Sequence, residues 1–219
     1  MLEPIKHILA SQRIVLASSS PRRKLILENV GMKFEVHPSK FEENLDKAKF
    51  SKPYEYCLET ARLKTLEVAD KLYKESKVGL PDLIIGADTI VTMDDKIFEK
   101  PNNKEHALEM LSGFSGRSHT VYTGVILVTP KGQFGDVNES SKYNIHSFHV
   151  GTDVTFANVD RETLRQYIET GEPMDKAGGY GIQAAGGTLV ESIHGDYFNV
   201  MGFPLHKFSK TLVDLYKNF

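Results

Sequence analysis

Apolar positions along the chain change period several times, and each change predicts an element. Ile14 to Ala17 form a short apolar run closed by Ser18-Ser19-Ser20-Pro21, after which Leu25, Ile26 and Val30 recur at helical spacing up to Gly31. This reads as strand, turn and helix, with Ser20 as N-cap, Pro21 at the first helical position and Gly31 at the left-handed residue beyond the end. From Pro53 to about Glu75 the pattern is a long helix with Cys57, Ala61, Val68 and Leu72 along one stripe, and Lys64 falls on that stripe.

The run from Leu83 to Val91 is rich in β-branched residues and apolar on both faces, as a central strand requires, and Met93-Asp94-Asp95-Lys96 turns it back. Asn102 or Asn103 can cap a helix carrying Ala107, Leu108, Met110 and Leu111 that stops near Gly113. Val121 to Val128 and roughly His146 to Phe156 alternate as paired strands, and the polar loop between them, Pro130 to about Asn144, is expected to be mobile. Leu164, Tyr167 and Ile168 mark a helix ended at Gly171. A glycine-rich segment, a strand around Thr188 to Ile193 and a last helix from about Pro204 to Tyr216 follow. Helices alternate with strands but hairpins interrupt them, which predicts a mixed α/β sheet with flanking helices.

Composition narrows the function classes. The 219 residues hold 27 Lys plus Arg against 29 Asp plus Glu, a net charge of −2, with 40% hydrophobic and 26% charged residues. That excludes wholesale disorder, suits a single domain over 1–219, and offers no global field for nucleic acid. The one cysteine, Cys57, excludes an intrachain disulfide framework and a thiolate zinc cluster, and favours a reducing compartment. Met1-Leu2-Glu3-Pro4-Ile5-Lys6-His7 lacks a secretory apolar region, and uncharged apolar runs fall short of the roughly 20 residues of a membrane span. A cytoplasmic protein without membrane or nucleic-acid partners is expected.

Three stretches carry chemistry. Ser18-Ser19-Ser20-Pro21-Arg22-Arg23 brings hydroxyls, free backbone N–H groups, a helix N-terminus and two guanidiniums to one turn, the parts of a phosphate site, although a capped surface helix would use the same residues. Asp88 lies among Ile84, Ile85, Ile90 and Val91, where a carboxylate is costly unless paired or metal-bound; an Asp at a strand end bonding a turn is the alternative. In Asp175 to Gln183, glycines give backbone freedom beside Tyr180 and Gln183, which suits reading the edge of a planar ligand, or a plain turn. Lys64, on its apolar stripe, and Lys100, in Glu99-Lys100-Pro101, each read by themselves as ordinary solvated lysines. Glu42-Glu43 is either a surface acid pair or a source of a second metal ligand, and Glu59 is solvated on another helix face. The eight histidines show no ligand spacing for zinc.

Taken together, Ala17-Ser18-Ser19-Ser20-Pro21-Arg22-Arg23, Gly86-Ala87-Asp88-Thr89, Glu99-Lys100-Pro101, Gly116-Arg117 and Asp175 to Gln183 resemble the Maf family of nucleoside triphosphate pyrophosphatases, in family order from about Arg13 to about Pro204. Gly171-Glu172-Pro173-Met174 and His194-Gly195-Asp196 are most similar to its eukaryotic branch, in which such a domain can be fused to a methyltransferase-like one. The resemblance implies two lobes around a deep cleft, a fold shared with inosine triphosphatases. It also implies cleavage of a nucleoside triphosphate between the α- and β-phosphates with a divalent cation, Mg²⁺ or Mn²⁺, and a homodimer. By resemblance Asp88 is the proton acceptor and Arg22, Thr89 and Gln183 are specificity positions. Ser18, Arg23, Glu43, Lys64 and Lys100 are phosphate or metal contacts, with Lys64 and Lys100 grouped with Asp88 as catalytic and Glu43 with Asp88 as metal-binding. Tyr180-Gly181-Ile182-Gln183 resembles the branch acting on dTTP and UTP. The loop after Pro130 looks longer than in compact relatives. The alternative is a nucleotide-binding regulator of cell division that does not hydrolyse.

Overall fold

A computed structural model describes residues 1–75, 81–132 and 143–217. In chain order the elements are α1 (Lys6–Leu9), β1 (Ile14–Leu16), α2 (Pro21–Asn29), β2 (Glu35–Val36), α3 (Pro53–Glu75), β3 (Leu83–Met93), β4 (Lys96–Phe98), α4 (Lys104–Phe114), β5 (Ser118–Pro130), β6 (Tyr143–Phe156), α5 (Arg161–Glu169), β7 (Val190–His194), α6 (Tyr197–Val200) and α7 (Leu205–Tyr216). The sheet runs β2-β1-β3-β5-β6-β7, with β4 folded back on β3. It is mixed: β1 pairs parallel with β2 and β3, whereas β3, β5, β6 and β7 pair antiparallel in turn.

Alternation along the strands assigns the layers. Val15, Ile84, Ile126 and Val128 face α3 through Ala61, Val68 and Ala69. On the other face Leu16, Ile85 and Leu127 pack with Ile26, Leu27, Phe208 and Leu212 of α2 and α7. Further along the same strands Val91, Val121 and Phe156 pack with Leu111, Phe114, Leu164 and Ile168 of α4 and α5. These two cores divide that side of the sheet into two lobes.

The division coincides with a gap at the edge of β3. Parallel pairing with β1 ends at Leu16 and Ile85, and antiparallel pairing with β4 begins only at Val91 and Phe98. Between them no described strand covers the β3 edge. Asp88, facing α3, and Thr89, facing α2, therefore reach one opening from opposite faces of the sheet.

Local signals set most boundaries. Ser20 caps α2 by accepting from Arg23 N at 3.4 Å, and Gly31 takes φ 77° beyond its end. Asn103, rather than Asn102, caps α4, accepting from His106 N at 2.8 Å. Asp94 and Asp95 turn β3 into β4 at φ 51° and 59°, the left-handed pair that suits a tight hairpin.

Other expectations shift. Leu25 is 45% exposed, and the apolar side of α2 is Ile26 and Leu27. Helix α4 passes Gly113 and ends at Phe114, with Gly116 at φ 67° making the turn. The last strand starts at Val190 because residues 185–189 form a 3-10 turn. The paired strands β5 and β6 extend to Pro130 and from Tyr143, so most of the loop between them, 133–142, lies outside the described residues. The short helix α1 had no counterpart in the apolar pattern; Ile5 and Leu9 bury it against α7 and its neighbours. Among the described residues no helix is long and apolar enough to cross a membrane.

Candidate active site

The gap opens into a cleft of about 590 Å³ lined by the turn after β1, the middle of β3, Glu43, Lys64, Glu99, Lys100 and the segment 175–183. All nine residues singled out for the site, Ser18, Arg22, Arg23, Glu43, Lys64, Asp88, Thr89, Lys100 and Gln183, line it. Arg117, of the Gly116-Arg117 motif, does not: it pairs with Asp94 at 2.8 Å on the β3–β4 hairpin. Glu42 is exposed outside the lining, and Glu59 pairs with Arg62 at 2.7 Å.

Lys64 and Asp88 meet because of two glycines. Gly86, two residues before Asp88, and Gly124, its cross-strand partner, have no room for a β-carbon against Thr65 and Leu58 of α3. The helix therefore lies low on the sheet, and the lysine on its apolar stripe reaches Asp88 Oδ1 at 2.8 Å and Glu43 Oε1 at 2.7 Å. Asp88 is thus a buried residue in mid-strand paired from across the fold, and not a strand-end residue bonding a turn. Burial pushes the Asp88 carboxyl above its usual range, against the pull of Lys64 and Arg23. Burial alone would lower Lys64, but Asp88 and then Glu43 outweigh it and raise its pKa, so the ammonium stays charged.

Arg23 is committed to the protein. Its Nε donates to Gly202 O at 2.9 Å, Nη1 to Ser18 Oγ at 3.0 Å and Nη2 to Thr89 Oγ1 at 2.9 Å. The guanidinium ties the turn after β1, β3 and the chain after α6 together; burial lowers its pKa, partly offset by Asp88. Thr89 continues the chain to Thr123 Oγ1 at 3.0 Å, which reaches Asn199 O at 3.2 Å. Arg22 points across the cleft to Asp175 Oδ2 at 3.3 Å, and Asp175 also accepts from Lys176 at 2.6 Å. Burial raises the Asp175 carboxyl less than Lys176 and Arg22 lower it, so it stays ionised. Lys100 and Gln183 are exposed in the lining and make no ion pair among the described residues.

The loop carrying Glu43 is held at both ends. Glu67 Oε2 accepts from Ser39 Oγ at 2.9 Å and Lys40 N at 3.0 Å, and Lys47 reaches Glu99 Oε2 at 2.6 Å while Tyr56 donates to Glu99 Oε1 at 2.7 Å. Asp175, Lys176 and Glu99 stood inside the sequence motifs without being singled out. Thr123, Asn199, Gly202 and Glu67 carry no local signal.

The donor set decides which cation fits. Asp88 and Glu43 each use one carboxylate oxygen on Lys64 and have a second, and hard oxygen ligands suit Mg²⁺ or Mn²⁺. Among the described residues no three His, Cys, Asp or Glu side chains come together as a metal cage. The residues therefore fit a cation that completes its shell with phosphate oxygens and water.

Comparison with known proteins identifies the family. The family model described as Maf-like protein matches residues 13–215. A human protein named probable bifunctional dTTP/UTP pyrophosphatase/methyltransferase protein is 52% identical over 216 residues, 99% of this chain and 34% of that protein, so this chain spans about a third of it. The dTTP/UTP pyrophosphatase of Clostridium tetani is 42% identical over 88% of this chain and 92% of its own length. A nucleoside triphosphate pyrophosphatase of Dictyostelium discoideum is 42% identical over 84% of this chain and 82% of its own. A match that begins at β1 and runs into the last helix takes in every element around the cleft, and the chain belongs to the Maf family.

Proposed function

We propose that the cleft hydrolyses dTTP and UTP between the α- and β-phosphates, releasing the nucleoside monophosphate and pyrophosphate. The observation that carries this reading is the Lys64 ammonium held between Asp88 and Glu43 beside the N-terminus of α2. The names of the relatives supply the substrate class.

In this reading Ser18 and the N–H groups at the start of α2 receive phosphate oxygens, and Arg22 and Lys100, both in the cleft lining, meet the triphosphate. Arg23 holds Ser18 and Thr89 in place from beneath. Asp88, whose carboxyl is raised by burial, takes a proton from the attacking water. The water oxygen bonds to the α-phosphorus as the bond from that phosphorus to the bridging oxygen breaks, and pyrophosphate leaves with the bond electrons. Lys64 stays protonated and offsets charge on the phosphates, since phosphoryl transfer is mostly positioning and charge neutralisation. Asp88 and Glu43 would hold Mg²⁺ or Mn²⁺, which when bound neutralises phosphate charge and lowers the pKa of coordinated water. Gln183 reads the pyrimidine edge, and Thr89 shapes the pocket beside it.

The proposal extends to a single domain over 1–219, a cytoplasmic location, a homodimer, and no membrane or nucleic-acid partner. The lone buried Cys57 and the near-neutral charge support the location and the absence of a polyanion partner. Sedimentation velocity tests the dimer. The activity is tested by pyrophosphate release from dTTP, UTP, CTP, modified pyrimidine and purine triphosphates, with and without Mg²⁺ or Mn²⁺. Metal-dependent release concentrated on dTTP and UTP is the expected result. Saturable binding without release would favour a nucleotide-binding regulator instead.

A further inference from the structure

Gln183 stands on a turn whose two ends are held by one pair of side chains. Tyr167 OH accepts from Gly181 N at 3.2 Å and donates to Glu172 Oε1 at 3.0 Å. The same Glu172 oxygen accepts from Gly186 N at 3.1 Å, and Oε2 accepts from Ala185 N at 3.1 Å. The turn has no slack: a β-carbon on Gly186 would overlap the Tyr167 hydroxyl, and one on Gly187 would lie 2.5 Å from Ile182 O. Tyr167 is itself buried in the core formed by α4 and α5. Its ring thus anchors the turn to a rigid element, and the Gln183 side chain is left exposed in the cleft lining.

We propose that Tyr167 and Glu172 are positioning residues for Gln183, closing the 181–186 turn so that the Gln183 amide meets the pyrimidine edge at a fixed angle. This rests on the dTTP and UTP reading above. An amide that reads a base must present donor and acceptor in set directions, and a turn free to rock would lose that discrimination before it lost the chemistry. Neither residue touches the reacting atoms: Tyr167 lies behind the turn, and Glu172 is occupied by the turn's own N–H groups.

The test measures kcat and KM for dTTP, UTP and CTP in the full chain and in Tyr167→Phe, Glu172→Gln, Gln183→Ala and the double variant Tyr167→Phe with Gln183→Ala. Amide hydrogen exchange at residues 181, 185 and 186 is followed in parallel. The expected result is a rise of about tenfold in KM for dTTP and UTP with kcat kept, the size of one lost hydrogen bond. The dTTP over CTP preference falls by a similar factor, and the effect disappears in the Gln183→Ala background. Exchange at 185 and 186 speeds in Glu172→Gln. A fall in kcat with KM unchanged, the same cost with Gln183 already removed, or unchanged exchange would overturn the proposal. If the wild-type chain shows no preference for dTTP and UTP over CTP, the functional reading fails, and the exchange data still decide whether the pair closes the turn.

Discussion

Gly86 and Thr65 stand so close that a β-carbon on residue 86 would overlap the Thr65 hydroxyl, which itself donates to Ala61 O at 2.6 Å within α3. The contact sets the height of α3 above β3, and Lys64 is the residue just before Thr65 on that helix. Gly86→Ala must lift the helix or bend the strand. It is expected to cost about 1–3 kcal/mol, the usual range for overpacking a core. Pyrophosphate release should fall in the folded fraction as well, because Lys64 is carried away from Asp88. A urea midpoint and a rate at matched folded protein check both parts.

Asp88→Asn keeps the volume and removes the base. Turnover of dTTP is expected to fall by about 10²–10⁴-fold, the range for losing a general base. Near-wild-type pyrophosphate release from a variant with unchanged circular dichroism would remove Asp88 from the proton-acceptor role.

Glu43 is exposed beside Lys64, so its replacement should spare the fold and tax the cation. For Glu43→Gln the Mg²⁺ concentration giving half-maximal rate is expected to rise by about tenfold, the lower end of the effect of losing a metal-supporting partner. Titrating Mg²⁺ at saturating dTTP reads this directly, and chelation of all divalent cations should abolish release in both proteins.

His119 links folding to pH. It is buried against Phe114, Phe156 and Tyr180, its Nε2 is 2.8 Å from Tyr180 OH, and burial pushes its pKa from 6.5 down to about 4. Between those values the unfolded chain binds a proton that the folded chain does not. Its contribution is therefore fully present above pH 6.5 and lost as pH falls toward 4. The whole effect is about 3 kcal/mol at most. Urea midpoints across that window should fall less steeply in His119→Gln than in the wild type, and equal slopes would show that this histidine is not the linked group.

Arg23 joins Ser18, Thr89 and Gly202 through separate donors. Lysine keeps the charge but has no planar fork, so Arg23→Lys is expected to lose about 2 kcal/mol of stability as well as activity. Calorimetry separates this from a pure phosphate contact, whose loss would raise KM and leave the melting temperature alone.

Much of the chemistry was legible because it lies within single elements. Ser20 before Pro21 announces a capped helix whose N-terminus faces the end of β1, whereas Lys64 on its apolar stripe reads by itself as a solvated lysine and gains a role only from the motifs around it. The motifs from Ser18 to Gln183 were enough to indicate the family. Leu25 misled because a nine-residue helix leaves spacing alone too few positions to choose its buried face. The apolar pattern starts the strand after the glycine-rich segment two residues early because nothing in it marks the 3-10 turn of residues 185–189, which Glu172 holds.

By itself the sequence determined which residue types sit where along each helix and strand, since a cap, a turn or an alternating face depends on neighbours a few positions away. Only the tertiary structure decided which of them meet. Asp88 finds Lys64 24 residues away, Arg23 finds Gly202 179 residues away, and Arg117 is turned out to Asp94. The physical reason is that such pairings depend on sheet register and on the height of α3 over two glycines. The cleft itself is the interval of β3 that neither β1 nor β4 covers, and it exists only once all three strands have paired.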